Sequence, residues 1–141
     1  MDEYVLDTSA LLAYIESEAG SLEIEQLLNQ ALEEKIHLFI SVISSIEIFY
    51  ISWQEQGMNV AMERLQLLND LPLYQIALDN ELIQVIGEIK ATQRMSFADS
   101  CIAGLSKYKK ATLVHKDPEF EQLENEIKQL KLPYKKTDKS K

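Results

Sequence analysis

The sequence predicts an α/β fold in which helices cover both faces of a mostly parallel sheet of four or five strands. Short apolar runs of strand-forming residues alternate with longer stretches whose apolar residues recur at helical spacing. This alternation continues from residue 4 to about residue 134 without a repeat or a linker. With 141 residues, 46% of them apolar, the chain has enough material for the core of one domain. Strands that alternate with helices form parallel sheets, because each helix carries the chain back across a face of the sheet.

The first half of the chain is predicted to contain two strands and four helices. The strands cover residues 4–6 and 37–40. Ser21 and Ser41 stand where a side-chain oxygen can cap a helix, and Gly57 stands where a helix can end. The four helices cover about residues 10–15, 22–32, 42–53 and 59–69. The residues spaced to face the core from the second helix are Ile24, Leu27, Leu28, Ala31 and Leu32.

The second half is predicted to contain three strands and three helices. Its first strand, residues 71–76, includes Pro72, which cannot donate a hydrogen bond to a neighbour and so indicates a sheet edge. The other strands cover residues 111–114 and about 131–134. The helices are opened by Asp79, Ser96 and Asp117-Pro118. The apolar residues assigned to their inner faces are Leu82, Ile83, Ile86 and Ile89, then Ala98, Ile102 and Leu105, then Phe120, Leu123, Ile127 and Leu130.

The composition excludes several classes of protein. No apolar run approaches the ~20 residues of a membrane span, and the acidic start Met1-Asp2-Glu3 lacks the basic residues of a signal peptide. Cys101 is the only cysteine and there are two histidines, so neither a disulfide nor a zinc site of Cys and His ligands is expected. We therefore expect a cytoplasmic protein with one domain over residues 1–134.

The net charge of −9 is unevenly distributed. Residues 1–106 contain 4 basic and 17 acidic side chains, whereas residues 107–141 contain 10 basic and 6 acidic ones. A negative protein repels nucleic acid overall, but a locally basic end can contact phosphates. Lys107 and Lys110 are candidates for such contacts, and residues 135–141 are expected to be a basic, disordered tail.

Four acidic residues stand close to the ends of predicted strands. Asp7 directly follows the first strand, Glu47 lies on the helix after the second, Asp99 opens a later helix, and Asp117 follows the fourth strand. Because the carboxyl ends of parallel strands share one edge of a sheet, these acids can meet there. Asp7, Asp99 and Asp117 also stand where helix caps do, which is the simpler explanation for each alone. Glu47, inside an apolar run, has no such explanation and must face either solvent or a cation.

Convergence of the four carboxylates would require a counter-charge. At ~4 Å and an effective dielectric constant near 20, each like-charged pair costs roughly 4 kcal/mol. A hard divalent cation removes that cost, and Mg²⁺ or Mn²⁺ suits a site built of carboxylates and water. Such an ion can activate a water molecule and stabilise charge on a phosphoryl group.

Four motifs carry a resemblance to a known family. They are VLDTSAL at residues 5–11, SSIE at 44–47, FADSCIA at 97–103 and LVHKDPEF at 113–120. Together, in this order and in a chain of this size, they resemble a PIN domain, and most of all the small single-domain toxins of the VapC type. The resemblance extends from residue 4 to about residue 134.

This resemblance implies a three-layer α/β/α sandwich and a metal-dependent endoribonuclease in which water attacks the phosphodiester. Asp7, Glu47, Asp99 and Asp117 would hold Mg²⁺ or Mn²⁺ and form the catalytic site. Either hydroxyl of the Thr8-Ser9 pair would support the site. Glu119 stands where the family usually has a second aspartate and is assigned a supporting role. The resemblance also implies a homodimer and a cognate antitoxin.

Other candidate residues have two interpretations each. Phe49, Tyr50 and Trp53 either pack in the core or form a groove for an antitoxin segment or a dimer partner. Lys90 and Arg94 either contact RNA phosphates or lie on an ordinary exposed face.

Two other functions stay open at this point. One is a non-catalytic protein-interaction module that keeps the acids as caps. The other is a phosphotransfer protein or phosphatase with Asp7 as its nucleophile. The second is less compatible with the sequence, because Ser9 stands where an Asp-x-Asp motif needs an acid.

Overall fold

The computed structural model describes residues 1–134. Its strands in that range are β1 (Asp2–Leu6), β2 (Ile36–Ser41), β3 (Tyr74–Ile76), β4 (Thr112–His115) and β5 (Gln129–Lys131). Its α-helices there are α1 (Thr8–Ile15), α2 (Ser21–Leu32), α3 (Val42–Gln56), α4 (Met58–Asp70), α5 (Ile83–Thr92) and α6 (Phe97–Lys109). Short 3₁₀ helices cover Asn80–Leu82 and Pro118–Leu123. The predicted basic tail, residues 135–141, lies outside the described residues.

One parallel sheet organises the described chain. Its strand order is β3-β2-β1-β4-β5, and every neighbouring pair is parallel. The central position of β1 leaves Val5 and Leu6 with no exposed surface. β3 lies at an edge, as predicted, but it begins at Tyr74, so Pro72 lies before the strand rather than in it. The predicted α/β class and the parallel sheet are confirmed.

Each face of the sheet carries its own core, because successive side chains of a strand point to opposite faces. Val5 and Leu113 pack with residues of α5 and α6, whereas Leu6 and Val114 pack with residues of α1, α2, α3 and α4. Each fully buried Leu or Ile side chain stabilises the fold by about 1.5–3 kcal/mol. The result is the expected sandwich of three layers. No helix within residues 1–134 is long and apolar enough to span a bilayer.

Several element ends differ from the prediction. Gly20 rather than Ser21 is the N-cap of α2, with a left-handed φ of 100°. A side chain is disfavoured at that φ, and a Cβ on Gly20 would also lie 3.2 Å from the Leu132 side chain. Gly57, with φ 92°, ends α3 as predicted and joins it to α4.

Three residues assigned to the core are exposed. Leu32 is the last residue of α2 and is 66% exposed, because helical spacing does not reveal where a helix ends relative to the core. Ile83 is also 66% exposed, because the 3₁₀ turn before it shifts the spacing from Leu82. Leu130 lies on β5 and is 38% exposed.

The segment after Asp117 is the largest error of the prediction. We expected a helix through Leu130 and a strand at residues 131–134. Instead, the 3₁₀ helix ends at Leu123, and β5 begins at Gln129. Leu123, Ile127 and Leu130 fit helical spacing, but pairing with β4 determines the structure here.

Candidate active site

The fold brings the predicted acids to the carboxyl edge of the sheet. Asp7 directly follows β1, and Asp117 follows the neighbouring strand β4. The Asp7 N–H donates to the carbonyl of Val114 at 2.9 Å, which ties the two strand ends together. Asp99 lies in the first turn of α6, and Glu47 lies on α3, which follows β2.

Asp7 is both a helix cap and a buried carboxylate. Its Oδ2 accepts hydrogen bonds from the Ser9 N–H, at 3.0 Å, and from the Ser9 hydroxyl. Its Oδ1 is buried and has no hydrogen-bond partner among residues 1–134. A buried polar oxygen without a partner costs about 1–3 kcal/mol, or more if charged. Capping therefore accounts for Oδ2 only, and Oδ1 is available to a ligand.

Thr8 and Ser44 hold Glu47. The Thr8 hydroxyl lies 2.7 Å from Glu47 Oε1 and 3.0 Å from Ser44 Oγ. A hydroxyl has one proton, so Thr8 donates it to the carboxylate and accepts from Ser44. Glu47 is half-buried, and its carboxylate accepts from Thr8 rather than pairing with a cation of the described chain. The Ser44 hydroxyl belongs to the second motif, but no pattern in the sequence indicated a role for it.

Asp99, Asp117 and Glu119 form the tightest part of the cluster. One carboxylate oxygen of each lies within 4.8 Å of the others. Burial, followed by the charges of Asp7, Asp117, Glu47 and Glu119, raises the pKa of Asp99 to about 7. All five acids therefore act on one site with Asp99 at its centre. Glu119, assigned only a supporting role from sequence, lies in the same group as Asp99 and Asp117.

Asp7 also titrates at an unusually high pH. Burial raises the pKa of Asp7 to about 6, although the hydrogen bonds from Ser9 lower it. Without a counter-charge, the cluster therefore retains protons close to neutral pH. A divalent cation would replace them.

The donor set fits a hard divalent cation. The available ligands are carboxylate oxygens, which Mg²⁺ and Mn²⁺ prefer. The buried, unpartnered Oδ1 of Asp7 is the independent observation that supports such a ligand. His115 is not available: its Nδ1 accepts from the Asp117 N–H at 3.0 Å, and its Nε2 lies 2.8 Å from Gln129 Oε1. This neutral ring, whose pKa is lowered by burial, positions the backbone of Asp117.

Lys116 is the buried cation nearest in sequence to the acids. Its ammonium donates to the carbonyl of Ala19 at 2.7 Å and lies 3.9 Å from Glu18. Its backbone N–H donates to the Ser9 hydroxyl at 3.0 Å, and that hydroxyl in turn holds Asp7. Lys116 therefore anchors the turn before α2 and supports the site through its backbone. No pattern in the sequence indicated this role.

The predicted basic residues lie in two different places. The Gln122 side chain forms hydrogen bonds with the backbone of Arg94 and with the carbonyl of Glu119, which places the backbone of Arg94 beside the cluster. Lys90 is exposed near the end of α5. Lys107 pairs with Glu126 at 2.6 Å, and Lys110 caps the far end of α6. A helix rises 1.5 Å per residue, which places Lys110 about 16 Å along the axis from Asp99. Neither lysine lines the acidic cleft.

The predicted aromatic residues are only partly buried. Phe49 is half-buried and makes an edge contact with Trp53 at 5.5 Å. Tyr50 and Trp53 are 44% and 48% exposed, and Ile46, one turn before Tyr50, is 53% exposed. Core packing therefore does not account for Tyr50 and Trp53, since about half of each side chain is exposed. Together with Ile46 they form an apolar surface on α3 next to Glu47, the Ile46–Tyr50–Trp53 surface.

Comparison with known proteins identifies this architecture. The family model described as "PIN domain" matches residues 4–126. A comparison with curated proteins found no match.

Solved structures of bacterial proteins share the fold. DNA-bound VapBC from Salmonella typhimurium has 19% identity and a TM-score of 0.76, over 93% of this chain and 98% of that one. VapBC2 from Rickettsia felis, bound to a DNA fragment from its promoter, has 18% identity and a TM-score of 0.75, over 93% and 99%. VapC20 from Mycobacterium tuberculosis, described as a toxin that cleaves the sarcin-ricin loop, has 12% identity and a TM-score of 0.66, over 84% and 93%.

Proposed function

This chain belongs to the PIN-domain family, and on that premise we propose that it is a Mg²⁺- or Mn²⁺-dependent endoribonuclease, the toxin of a toxin–antitoxin pair that acts in the cytoplasm. The observation that supports this most is the buried Asp7 Oδ1, which has no partner in residues 1–134 and stands in a group of acids. The fold is shared with VapBC complexes and with a toxin that cleaves RNA. Catalysis and metal dependence are the proposal.

We assign the metal to Asp7, Asp99 and Asp117, with Glu47 and Glu119 completing the site. A bound divalent cation would supply an activated water and neutralise charge on the phosphoryl group. Ser9 fixes the orientation of the Asp7 carboxylate. The remaining positioning groups are the Thr8 hydroxyl, which holds Glu47, and the His115 ring, which holds the backbone of Asp117.

The test compares purified wild type with Asp99→Asn on structured and unstructured RNAs. We expect wild type to cleave with Mg²⁺ or Mn²⁺ and to stop with EDTA. Asp99→Asn should keep its fold and lose at least 10²–10³-fold in rate, because water activation and charge neutralisation each lower the barrier by several kcal/mol. Asp70→Asn, an exposed acid on α4, is the matched control and should cleave normally.

Two outcomes would overturn the proposal. Equal cleavage by wild type and Asp99→Asn would indicate a contaminating nuclease. No cleavage by either, with Mn²⁺ visibly bound, would favour the non-catalytic interaction module. A covalent phosphoenzyme would instead favour Asp7 as a nucleophile.

We also propose a basic antitoxin segment as the inhibitory partner. A cleft of about 420 Å³ adjoins the acids. Its lining combines apolar, acidic and other polar side chains: Leu12, Pro118 and Tyr134, then Glu16, Glu18 and Asp117, then Ser9 and Lys116. This lining suits a segment that carries both apolar and cationic side chains, with an Arg or Lys placed among the acids. The Ile46–Tyr50–Trp53 surface, with Phe49 beneath it, offers a second apolar contact.

Fluorescence can detect this partner, because Trp53 is the only tryptophan. We expect a change in Trp53 emission when the protein encoded next door binds, and an on-rate that falls with salt. Phe49→Ala with Trp53→Ala should weaken binding; unchanged affinity would exclude docking on α3. Light scattering of the free protein tests the proposed homodimer, which a monomeric mass would refute.

A further inference from the structure

An exposed aromatic residue opens the helix that carries Asp99. Phe97 is the first residue of α6, two residues before Asp99, and is 59% exposed. No hydrogen-bonding, cationic or aromatic group within residues 1–134 pairs with its ring. Single exposed apolar residues are common on proteins, so its neighbourhood must decide whether this one has a role.

The segment that carries Phe97 is firmly held. Met95 is 4% exposed and belongs to the core, and Ser96 caps α6 by accepting from the Asp99 N–H at 3.1 Å. Gln122 accepts from the Arg94 N–H at 3.0 Å and donates to the Arg94 carbonyl at 3.1 Å. Arg94 and Phe97 therefore project from a fixed rim rather than from a loose loop.

This rim is tied to elements that carry the acids. On one side, Gln122 also donates to the carbonyl of Glu119 at 3.0 Å, which places Arg94 beside that acid. On the other side, Phe97 lies one turn before Cys101 on the same face of α6. α6 in turn packs against α3, which carries Glu47. The cation and the ring therefore both lie next to the end of α6 that carries Asp99.

The side chains of the rim are chemically complementary to a nucleotide, with a cation for the phosphate and a ring for the base. The exposed Arg94 guanidinium has no ion-pair partner among the described residues and can bind a phosphate through two parallel hydrogen bonds. An exposed Phe ring can stack on any base, because every base has a π face. Three residues of chain span at most about 10 Å, so both groups can reach one nucleotide next to a phosphodiester at the acids.

We propose that Phe97 is a stacking platform for an unpaired base next to the cleaved phosphodiester, with Arg94 binding the adjoining phosphate. The proposal rests on the ribonuclease function proposed above and names the two residues that would recognise the nucleotide at the cleavage site. A base inside a duplex already stacks on both faces and cannot reach the ring. Stacking also offsets the repulsion between RNA and a chain of charge −9.

The experiment measures binding, so that it does not depend on cleavage. Labelled single-stranded RNA is titrated with the Asp99→Asn protein in Mg²⁺ buffer, alone and with Phe97→Ala, Phe97→Trp or Ile83→Ala added. Loss of one stacked base costs ~1–3 kcal/mol, so Phe97→Ala should weaken binding roughly 5- to 100-fold. Phe97→Trp should retain the RNA affinity of the parent protein. Ile83→Ala, which removes a side chain that is 66% exposed elsewhere on the surface, should change nothing.

Abasic RNAs identify the stacked base. One abasic position should weaken binding of the parent protein as much as Phe97→Ala does, and should cost the Phe97→Ala protein nothing further. Equal affinity with and without Phe97 would overturn the proposal, as would the absence of RNA binding by both Asp99→Asn and wild type in EDTA. An RNA affinity unchanged by Phe97→Ala, with a weakened antitoxin complex, would reassign the ring to protein contact. The separate cleavage assay of wild type shows whether the ribonuclease function itself fails.

Discussion

Asp7 shows how one residue can have a structural and a functional role. Its Oδ2 caps α1 through Ser9, and its Oδ1 is buried without a partner in the described chain. From the sequence alone, Asp7 could be interpreted either as a helix cap or as a metal ligand. The structure is consistent with both, because a carboxylate has two oxygens. Because the two oxygens have separate roles, Asp7→Asn can leave the fold intact: asparagine is also a good N-cap.

The first prediction at this scale concerns pH. The folded pKa values of Asp7 and Asp99, about 6 and about 7, lie above the ordinary value of 3.8 expected in the unfolded chain. Between about pH 4 and pH 7 the folded protein therefore holds more protons than the unfolded one, and the free energy of unfolding falls as pH rises. We expect the Tm in EDTA to fall over this range, and to fall less in Asp99→Asn.

The comparison with the mutant is needed because His115 acts in the opposite direction. Burial lowers the pKa of His115, so its contribution makes the fold less stable as pH falls below its ordinary value. That contribution is the same in both proteins and cancels. Asp70→Asn should keep the wild-type slope. Equal slopes for wild type and Asp99→Asn would show that the acids do not repel one another.

The second prediction at this scale concerns metal. Mg²⁺ at about 100 times its Kd should stabilise wild type by about 2.7 kcal/mol, or roughly 10 °C in Tm. Asp7→Asn and Asp99→Asn should be at least as stable as wild type in EDTA and should respond far less to Mg²⁺. Calorimetry with EDTA, Mg²⁺ and Mn²⁺ measures both effects. A wild-type Tm that responds to neither ion would argue strongly against a metal site.

At the scale of elements, the site depends on how closely α5 packs on α6. Gly104 of α6 faces α5, and a Cβ built on it would lie 2.6 Å from Ile86 Cγ1 and 3.3 Å from the Ile86 Cα. Because backbone as well as side chain is close, the helices would have to move apart. The same contact sets the position of the first turn of α6, which carries Asp99.

A matched pair of glycines tests this packing. Gly104→Ala should lower the free energy of unfolding by about 1–3 kcal/mol, the usual cost of overpacking. Gly87→Ala, in α5, meets no atom within 4 Å and should raise it by about 0.5–1 kcal/mol, because alanine favours a helix. Urea denaturation of both variants measures the difference. Stabilisation by both substitutions would show that the helices have room to separate.

At the scale of the whole molecule, the parallel sheet and the location of the acids at one edge of it followed from the sequence, but the strand order and the distances between elements did not. Asp7 and Asp117 were predictable, because residues that end parallel strands share one edge of the sheet. The proximity of Glu119 to Asp99 was not predicted, because the short 3₁₀ helix that carries Glu119 was expected to be the start of a longer helix. Lys107 and Lys110 were predicted to contact phosphates because the end of the chain is basic. A count of charges does not reveal which end of α6 carries these lysines.

The position of these two lysines leads to the last prediction, which depends on RNA length. Lys107 and Lys110 lie about 16 Å or less along α6 from Asp99, at its far end. On the proposed function, they can contact only phosphates distant from the cleaved bond. We expect Lys107→Ala with Lys110→Ala to leave kcat/KM on a very short RNA unchanged and to lower it on a long one.

Salt dependence provides the measurement. Each lost phosphate contact on a single strand reduces the slope of log affinity against log salt by about 0.7, so the double variant should lose up to about 1.4 on long RNA and nothing on short RNA. Cleavage-site preference should not change, because phosphate contacts carry little sequence information. Lys35→Ala, an exposed lysine just before β2, serves as the charge-matched control for one substitution. If the double variant loses as much on the short RNA, RNA bound at the acids must extend to the far end of α6; if it loses on neither, the basic end of the chain takes no part in RNA binding.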